Sequence, residues 1–178
     1  MGNAASQLKG IQMTQTMIDP TDFRSAMADF PSGVTVVTTL DEKGALVGFT
    51  ASAFSSLSMD PPLVLVCPAL SSATYPHLVR NQRFAIHILG ADQQDLAMAF
   101  ASKGADKVSA LDWGMSDLGN PLLKGATCVL ECTLWREYEG GDHAILVGQV
   151  QRIDRAEGGV LLYHRGKMTN HAVAGVEA

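Results

Sequence analysis

The sequence predicts a mainly β protein, an antiparallel barrel with a few short peripheral helices. Several segments rich in β-branched residues are separated by short turns, whereas helical spacing of apolar residues is confined to short stretches. A doubly wound sheet requires regular alternation of strands and helices, and that alternation is missing here. No glycine-rich dinucleotide motif and no phosphate-binding loop motif is present, so neither of those nucleotide-binding folds is favoured.

Length and composition indicate one domain. The chain has 178 residues, of which 47% are hydrophobic, and this is enough for a core without disulfides or a metal. We expect residues 1–18 to form a flexible extension and residues 19–178 to form the folded domain. Charged residues make up only 17%, which hints that a second subunit covers part of the surface.

Charge and targeting features exclude several classes of protein. The net charge is −5 and the basic residues are scattered, which argues against nucleic-acid binding. No signal peptide and no apolar run of about 20 residues is visible, so we expect a cytoplasmic protein without a membrane partner. The three cysteines, Cys67, Cys128 and Cys132, lack zinc-site spacing and are interpreted as buried thiols rather than metal or redox groups.

The first half of the chain should begin with a helix and continue as strands. Pro20 suits a first helical turn, with Asp19 or Thr21 as the cap. The pair Pro61-Pro62 must interrupt a strand because proline cannot donate to a sheet ladder. The predicted elements are a helix over 20–29 and strands over 34–39, 45–58 and 63–67.

The second half combines two short helices with further strands. Pro76 has to lie in the first turn of its helix, and Gly140-Gly141 indicates a tight turn between two strands. The stretch 103–119 is polar and predicted to be irregular. The predicted elements are helices over 72–81 and 91–101 and strands over 84–89, 126–137, 143–153 and 160–163.

The most informative segment, residues 48–58, holds five hydroxyl residues in a strand-like run. These hydroxyls could simply decorate the exposed face of an edge strand. Alternatively, the small side chains let a planar ring lie against the backbone, whose N–H and C=O groups meet the polar edge of the ring. A flavin presents such an edge, with both donors and acceptors.

The segment GFTASAFSSLSMDPPLVL, residues 48–65, resembles the signature of the flavin reductase-like family. These short-chain reductases serve two-component flavin monooxygenases. Further matches follow in the family's order, at 30–38, 71–75, 81–89, 100–103, 141–150 and 161–166. Each piece alone is weakly specific, but their order and spacing together identify the chain as a member.

The resemblance implies an FMN-binding split barrel with antiparallel, Greek-key strands that works as a homodimer. It implies that Thr50, Ala51 and Ser52 line the flavin ring, with Ser56 nearby. On the phosphate side it implies Ser72 and Thr74, with Lys103 acting as a cation. It also makes Phe100 a cofactor-binding residue. Ser72 as a helix cap and Lys103 as a solvated surface charge remain the alternatives.

Among five histidines, His143 is the candidate catalytic residue. It alone follows a Gly-Gly-Asp turn at a strand start, and the matching histidine of the family contacts the nicotinamide nucleotide. The alternative is a turn histidine bonded to Asp142. Tyr163 and Arg165 are candidates for the border of the nucleotide site, and His87 is interpreted as structural.

The resemblance implies an NAD(P)H-dependent flavin reductase. Hydride passes from nicotinamide C4 to flavin N5 of FMN or FAD, and the reduced flavin supplies a partner monooxygenase. The alternatives are a non-enzymatic FMN-binding electron-transfer protein, a pyridoxamine-phosphate-oxidase-like enzyme and an interaction protein. One departure is Val108, where family members often carry phenylalanine; it leaves the choices between FMN and FAD and between NADH and NADPH open.

Overall fold

The computed structural model describes residues 17–102, 108 and 111–171. Three helices are present in this part of the chain: α1 (Pro20–Ala28), α2 (Tyr75–Asn81) and α3 (Gln94–Ala101). The strands are β1 (Ser32–Gly33), β2 (Thr35–Leu40), β3 (Leu46–Ala51), β4 (Phe54–Met59), β5 (Pro62–Val66), β6 (Arg83–Ile88), β7 (Trp113–Met115), β8 (Pro121–Leu123), β9 (Cys128–Gly140), β10 (His143–Arg155), β11 (Val160–His164) and β12 (Lys167–His171).

A seven-stranded antiparallel sheet forms the body of the molecule, with the order β3-β2-β6-β9-β10-β5-β4. Its two outermost strands, β3 and β4, are consecutive in the chain and are joined only by Ser52 and Ala53. The chain therefore passes from one edge of the sheet to the other at these two residues. The result is a barrel that is split between β3 and β4, as the sequence predicts.

Two apolar clusters lie on opposite sides of β2. Val37 belongs to the cluster inside the barrel, which includes Phe84, Ile86 and Leu146. Val36 belongs to a second cluster with Phe100, in which α3, β8 and β11 cover the outside of the sheet. Because both faces of β2 are covered, its residues are buried almost without interruption, and the strand reads as a continuous β-branched run.

The hairpin of β9 and β10 carries the longest strands, with 13 residues each. Gly140 pairs with His143, which leaves only Gly141 and Asp142 in the turn. Gly141 has a φ of 76°, the positive value that tight hairpin turns require at this position. The predicted tight turn is confirmed, and it fixes His143 as the first residue of β10.

Several element boundaries differ from the prediction. The predicted strand over 45–58 is wrong as a single element, because the chain changes from one sheet edge to the other at Ser52 and Ala53. The stretch 103–119 is not wholly irregular, since β7 lies within it and pairs with β8. A small sheet of β1, β11 and β12 also forms, and neither β1, β8 nor β12 was expected.

Helix α1 begins as predicted, with Asp19 as its N-cap accepting from the N–H groups of Thr21 and Asp22. No residue of α1 is buried in the described chain. No described helix has the length and apolar character needed to cross a membrane.

Candidate functional site

The open edge of β3 borders the split of the barrel. The C=O of Gly48 accepts from Thr74 Oγ1 at 3.0 Å, on the side of β3 away from β2. The C=O of Ala51 accepts from Thr35 Oγ1 of β2 at 2.8 Å. Because residues two apart direct their main-chain groups to the same side of a strand, the N–H and C=O of Thr50 face the open edge with those of Gly48.

The corner at Ser52 and Ala53 offers further main-chain donors. Both residues are exposed, and within the described part of the chain neither of their N–H groups has an acceptor. The Ser52 side chain lines a cleft of ≈ 370 Å³. Its other lining residues come from the α1–β2 connection and nearby strands: Phe30, Pro31, Ser32, Gly33, Thr35, Phe54 and Ile88. Exposed N–H groups beside a cleft suit the carbonyl oxygens of a flavin's polar edge.

The segment that follows β5 connects this corner to the tip of the β9–β10 hairpin. The N–H of Cys67 donates to the C=O of Ala53 at 3.2 Å. One residue on, the C=O of Pro68 accepts from Ala144 N–H at 3.0 Å, and Leu70 N–H donates to Asp142 C=O at 3.0 Å. The corner and the start of β10 are thus about two strand spacings apart, roughly 10 Å.

His143 lies at this end of the barrel, and its ring is bonded to the neighbouring carboxylate. The His143 Nδ1 is 2.7 Å from Asp142 Oδ1, and the histidine side chain is 44% exposed. This hydrogen bond holds the pKa of Asp142 below its usual value. His143 also lines a cleft of ≈ 590 Å³. From the sequence, His143 was expected either to bond to Asp142 in the turn or to line a cleft. In the structure it does both.

The His143 cleft contains residues that sequence reasoning missed. Its walls include Tyr75 of α2 and Glu137, Tyr138 and Glu139 of β9. The Tyr75 hydroxyl donates to the Glu137 carboxylate, and this hydrogen bond raises the pKa of the tyrosine. No sequence signal marks these residues, because their meeting depends on how α2 docks against the hairpin. Among the described residues, none lines both the Ser52 cleft and the His143 cleft.

The remaining candidates on β3 are held by packing. The Thr50 hydroxyl donates to Ala97 C=O of α3 at 2.6 Å, so any contact of Thr50 with a ring would be made by its main chain. Ala51 is buried, and so is Phe100, which packs below Gly48. Phe100 could therefore affect a cofactor only through its packing against β3.

Ser72 and Thr74 lie in the turn that leads into α2. The Ser72 Oγ accepts from Thr74 N–H at 3.3 Å, and Thr74, not Ser72, is the N-cap residue of α2. Thr74 is buried and its hydroxyl donates to Gly48. Ser56, on β4, is exposed. Lys103 lies outside the described residues.

Tyr163 and Arg165 lie close to residues around the Ser52 cleft, and neither is among the described residues that line the His143 cleft. Tyr163 pairs with Ser32, a lining residue of the Ser52 cleft. Arg165 Nε donates to Asp29 Oδ1 at 2.6 Å, which fixes the end of α1 to the small sheet. The structure therefore groups these two residues with the Ser52 cleft, not with the His143 cleft.

The histidine and cysteine interpretations can also be checked. His87 is fully buried and its ring is bonded to main-chain groups on both sides, as expected for a structural histidine. Cys132 is buried in the barrel core, which raises the pKa of its thiol to about 12. Cys67 and Cys128 are free thiols that are only partly buried, so the prediction of burial is wrong for these two. Among the residues with described positions, no group of three or more His, Cys, Asp or Glu side chains could hold a metal.

Comparison with known proteins gives consistent matches. Residues 27–172 match the family described as flavin reductase like domain. The chain is 38% identical over 153 residues to the reductase subunit HsaB of a flavin-dependent monooxygenase from Rhodococcus jostii, covering 85% of this chain and 78% of that protein. It is 35% identical over 156 residues to a flavin reductase from Pseudomonas putida, covering 87% of this chain and 92% of the relative.

A solved structure shows the same fold. The NADH:FAD oxidoreductase SgcE6 of Streptomyces globisporus C-1027, in complex with NAD and FAD fragments, superposes with a TM-score of 0.79. The two sequences are 37% identical, and the match covers 85% of this chain and 94% of SgcE6.

Proposed function

The chain belongs to the flavin reductase-like family, and on this premise we propose that its flavin binds at the Ser52–Ala53 corner and its nicotinamide nucleotide at His143. The protein is a flavin reductase, the reductase component of a two-component flavin-dependent monooxygenase system. It takes hydride from NADH or NADPH and uses FMN or FAD. One observation supports this placement of the two cofactors most strongly. At Ser52 and Ala53 the chain leaves one edge strand of the sheet and enters the other.

The flavin side of the site is supported by the donors at the split. In the described chain the N–H groups of Ser52 and Ala53 have no acceptor, and together with the open edge at Thr50 they fit the polar edge of the ring. On the phosphate side we propose Ser72, with Lys103 adding a positive charge. Thr74 acts by holding the turn against β3, because its hydroxyl is bonded to Gly48.

The nucleotide side is supported by the fixed orientation of His143. Its bond to Asp142 holds the ring, which leaves the other ring nitrogen for the bound nucleotide. When both cofactors are bound, hydride and its electron pair leave nicotinamide C4 for flavin N5 while solvent supplies the accompanying proton. The chain's own task is to bring the two rings together and hold them, and this needs no nucleophile or general base.

A homodimer and a cytoplasmic location complete the proposal. In the described chain α1 buries no residue, and its Phe23, Met27 and the following Phe30 are 56%, 56% and 76% exposed. Such an apolar stripe suits an interface between two copies. The cysteines are free thiols, which fits the reducing cytoplasm. We also propose that residues 19–178 act as one domain.

The proposal is tested by a steady-state assay of both nucleotides against riboflavin, FMN and FAD. We expect nucleotide oxidation that depends on added flavin and on the protein. A protein that binds flavin but oxidises neither nucleotide would instead be a flavin carrier.

The role of His143 has its own test. His143→Ala should lower kcat/KM for the nucleotide by about 10- to 100-fold, the loss expected for one hydrogen bond to a polar ligand, while the flavin Kd changes little. His171→Ala, at an exposed histidine on β12, is the matched control. Unchanged nucleotide kinetics in His143→Ala would remove this residue from the site.

A further inference from the structure

The His143 cleft carries negative charge on the wall formed by β9. Glu137 and Glu139 pair with Leu146 and Ala144 of β10, whose side chains are buried. Residues directly opposite each other in an antiparallel pair share a face, so both glutamates lie on the barrel-facing side of the hairpin. Both line the cleft that His143 also lines.

Within the described part of the chain, His143 is the only basic residue that lines this cleft. Its lining residues are Leu70, Tyr75, Glu137, Tyr138, Glu139, Gly141, His143 and Ala144, without a lysine or an arginine. His143 is itself bonded to Asp142, which adds a third carboxylate at the hairpin tip. Arg136 precedes Glu137 on the strand, and alternation directs its side chain to the opposite face.

The two nicotinamide nucleotides differ at one group, the 2′ position of the adenosine ribose. In NADH this is a hydroxyl, which can donate a hydrogen bond to a carboxylate, whereas in NADPH it is a phosphate. Nucleotide sites distinguish the two in this way, with an acidic residue for the hydroxyl and an arginine for the phosphate. A phosphate dianion bound beside these two glutamates would be repelled by their charge.

We propose that the His143 cleft selects NADH over NADPH, with Glu139 as the main specificity residue; this rests on the proposed function of the cleft as the nucleotide site. Glu139 is assigned the larger part because the Glu137 carboxylate is already bonded to Tyr75. The apolar and aromatic walls supplied by Leu70 and Tyr75 suit the flat face of a base.

The test compares kcat/KM for NADH and NADPH in the full-length protein with saturating flavin. We expect the wild type to favour NADH by about tenfold or more. Glu139→Lys should reduce that ratio by about tenfold or more, because it replaces a repulsive charge with an attractive one. Glu157→Lys, which makes the same charge change at an exposed position between β10 and β11, should leave the ratio unchanged.

The outcomes separate this inference from the proposed function. If neither nucleotide is oxidised, both fail. If both are oxidised but NADPH is used as well as NADH, or if Glu139→Lys and Glu157→Lys shift the ratio equally, only the NADH inference is overturned. Should Glu139→Lys fail to fold by circular dichroism, Glu139→Gln takes its place, and a ratio unchanged from wild type contradicts the inference.

Discussion

His87 is joined to two other segments through both nitrogens of its ring. The Nδ1 lies 3.1 Å from Val36 C=O and the Nε2 accepts from Leu123 N–H at 3.0 Å. Because one nitrogen must donate and the other must accept, the ring is neutral, with its proton on Nδ1. Burial lowers the pKa of His87 to about 4, despite opposing effects from the Val36 carbonyl and Glu131.

This pKa predicts an acid-sensitive stability. The folded pKa lies below the value of about 6.5 in the unfolded chain, so between those two values the unfolded state binds more protons. The stabilisation is therefore complete above about pH 6.5 and is lost as pH falls toward 4, by about 3 kcal/mol in total. Urea unfolding of the flavin-free protein at several pH values measures it.

A matched pair of variants isolates the His87 contribution. His87→Gln should lower the free energy of unfolding at pH 7 and flatten its pH dependence between about 6.5 and 4. His171→Gln should keep the wild-type dependence because His171 is exposed. Equal slopes for the two variants would mean that His87 is not the group responsible.

At the residue scale, the sequence identifies candidates better than it identifies their surroundings. His143 could be predicted because a Gly-Gly-Asp turn places it at a strand start, which is a local feature. The place of Glu139 could not be predicted, because only its pairing with the buried Ala144 shows which face of the hairpin it occupies. The Thr50 hydroxyl donates to the Ala97 C=O of α3, and no local sequence signal indicates that contact.

Among the elements, β3 depends on the absence of a side chain at Gly48. A Cβ there would lie 2.6 Å from the Val37 carbonyl oxygen and 2.8 Å from Phe100 Cε1. Both neighbours are buried, so neither can move away without disturbing the sheet or the cluster around α3. Glycine at this position lets β3 and α3 pack closely behind the proposed flavin edge.

We therefore predict that Gly48→Ala destabilises the protein by about 1–3 kcal/mol, the usual cost of overpacking a filled core. Urea unfolding provides the measurement, and flavin affinity should fall as well. Gly114→Ala is the control, since a Cβ at this strand glycine has nothing within 4 Å. If both variants unfold at the same urea concentration, the close packing at Gly48 does not limit stability.

Element boundaries were least predictable where tertiary structure decides them. Residues 45–58 were predicted as one strand because no proline interrupts them before Pro61, yet the chain leaves one sheet edge and joins the other at Ser52 and Ala53. Strands β8 and β12 have few residues and little periodicity, and they exist because they pair with β7 and β11. By contrast, β2 and the β9–β10 turn carry strong local signals and were predicted.

For the molecule as a whole, the order of family motifs predicts the split barrel, whereas composition alone suggests only an antiparallel barrel. The proposed flavin site lies between β3 and β4, which are the two outermost strands of the seven-stranded sheet. No element of the described chain covers the apolar stripe of α1, which includes Phe23 and Met27.

We predict that the protein sediments at twice the 18.9 kDa mass of the chain. Phe23→Glu should shift it toward the monomer, because a charge in an apolar interface is costly. Ser25→Glu, on the polar side of the same helix, should not. Sedimentation velocity distinguishes the outcomes, and a monomeric wild type would argue against the homodimer.

The central claim is that the Ser52–Ala53 corner and the His143 cleft hold two rings close enough for direct hydride transfer. Anaerobic stopped-flow mixing of the protein and flavin with NADH, and with NADH deuterated at C4, tests it most directly. We predict rapid loss of the absorbance of oxidised flavin, slowed by deuterium and slowed further in His143→Ala. Loss of absorbance no faster than without protein, or equally fast in wild type and His143→Ala, would contradict the claim.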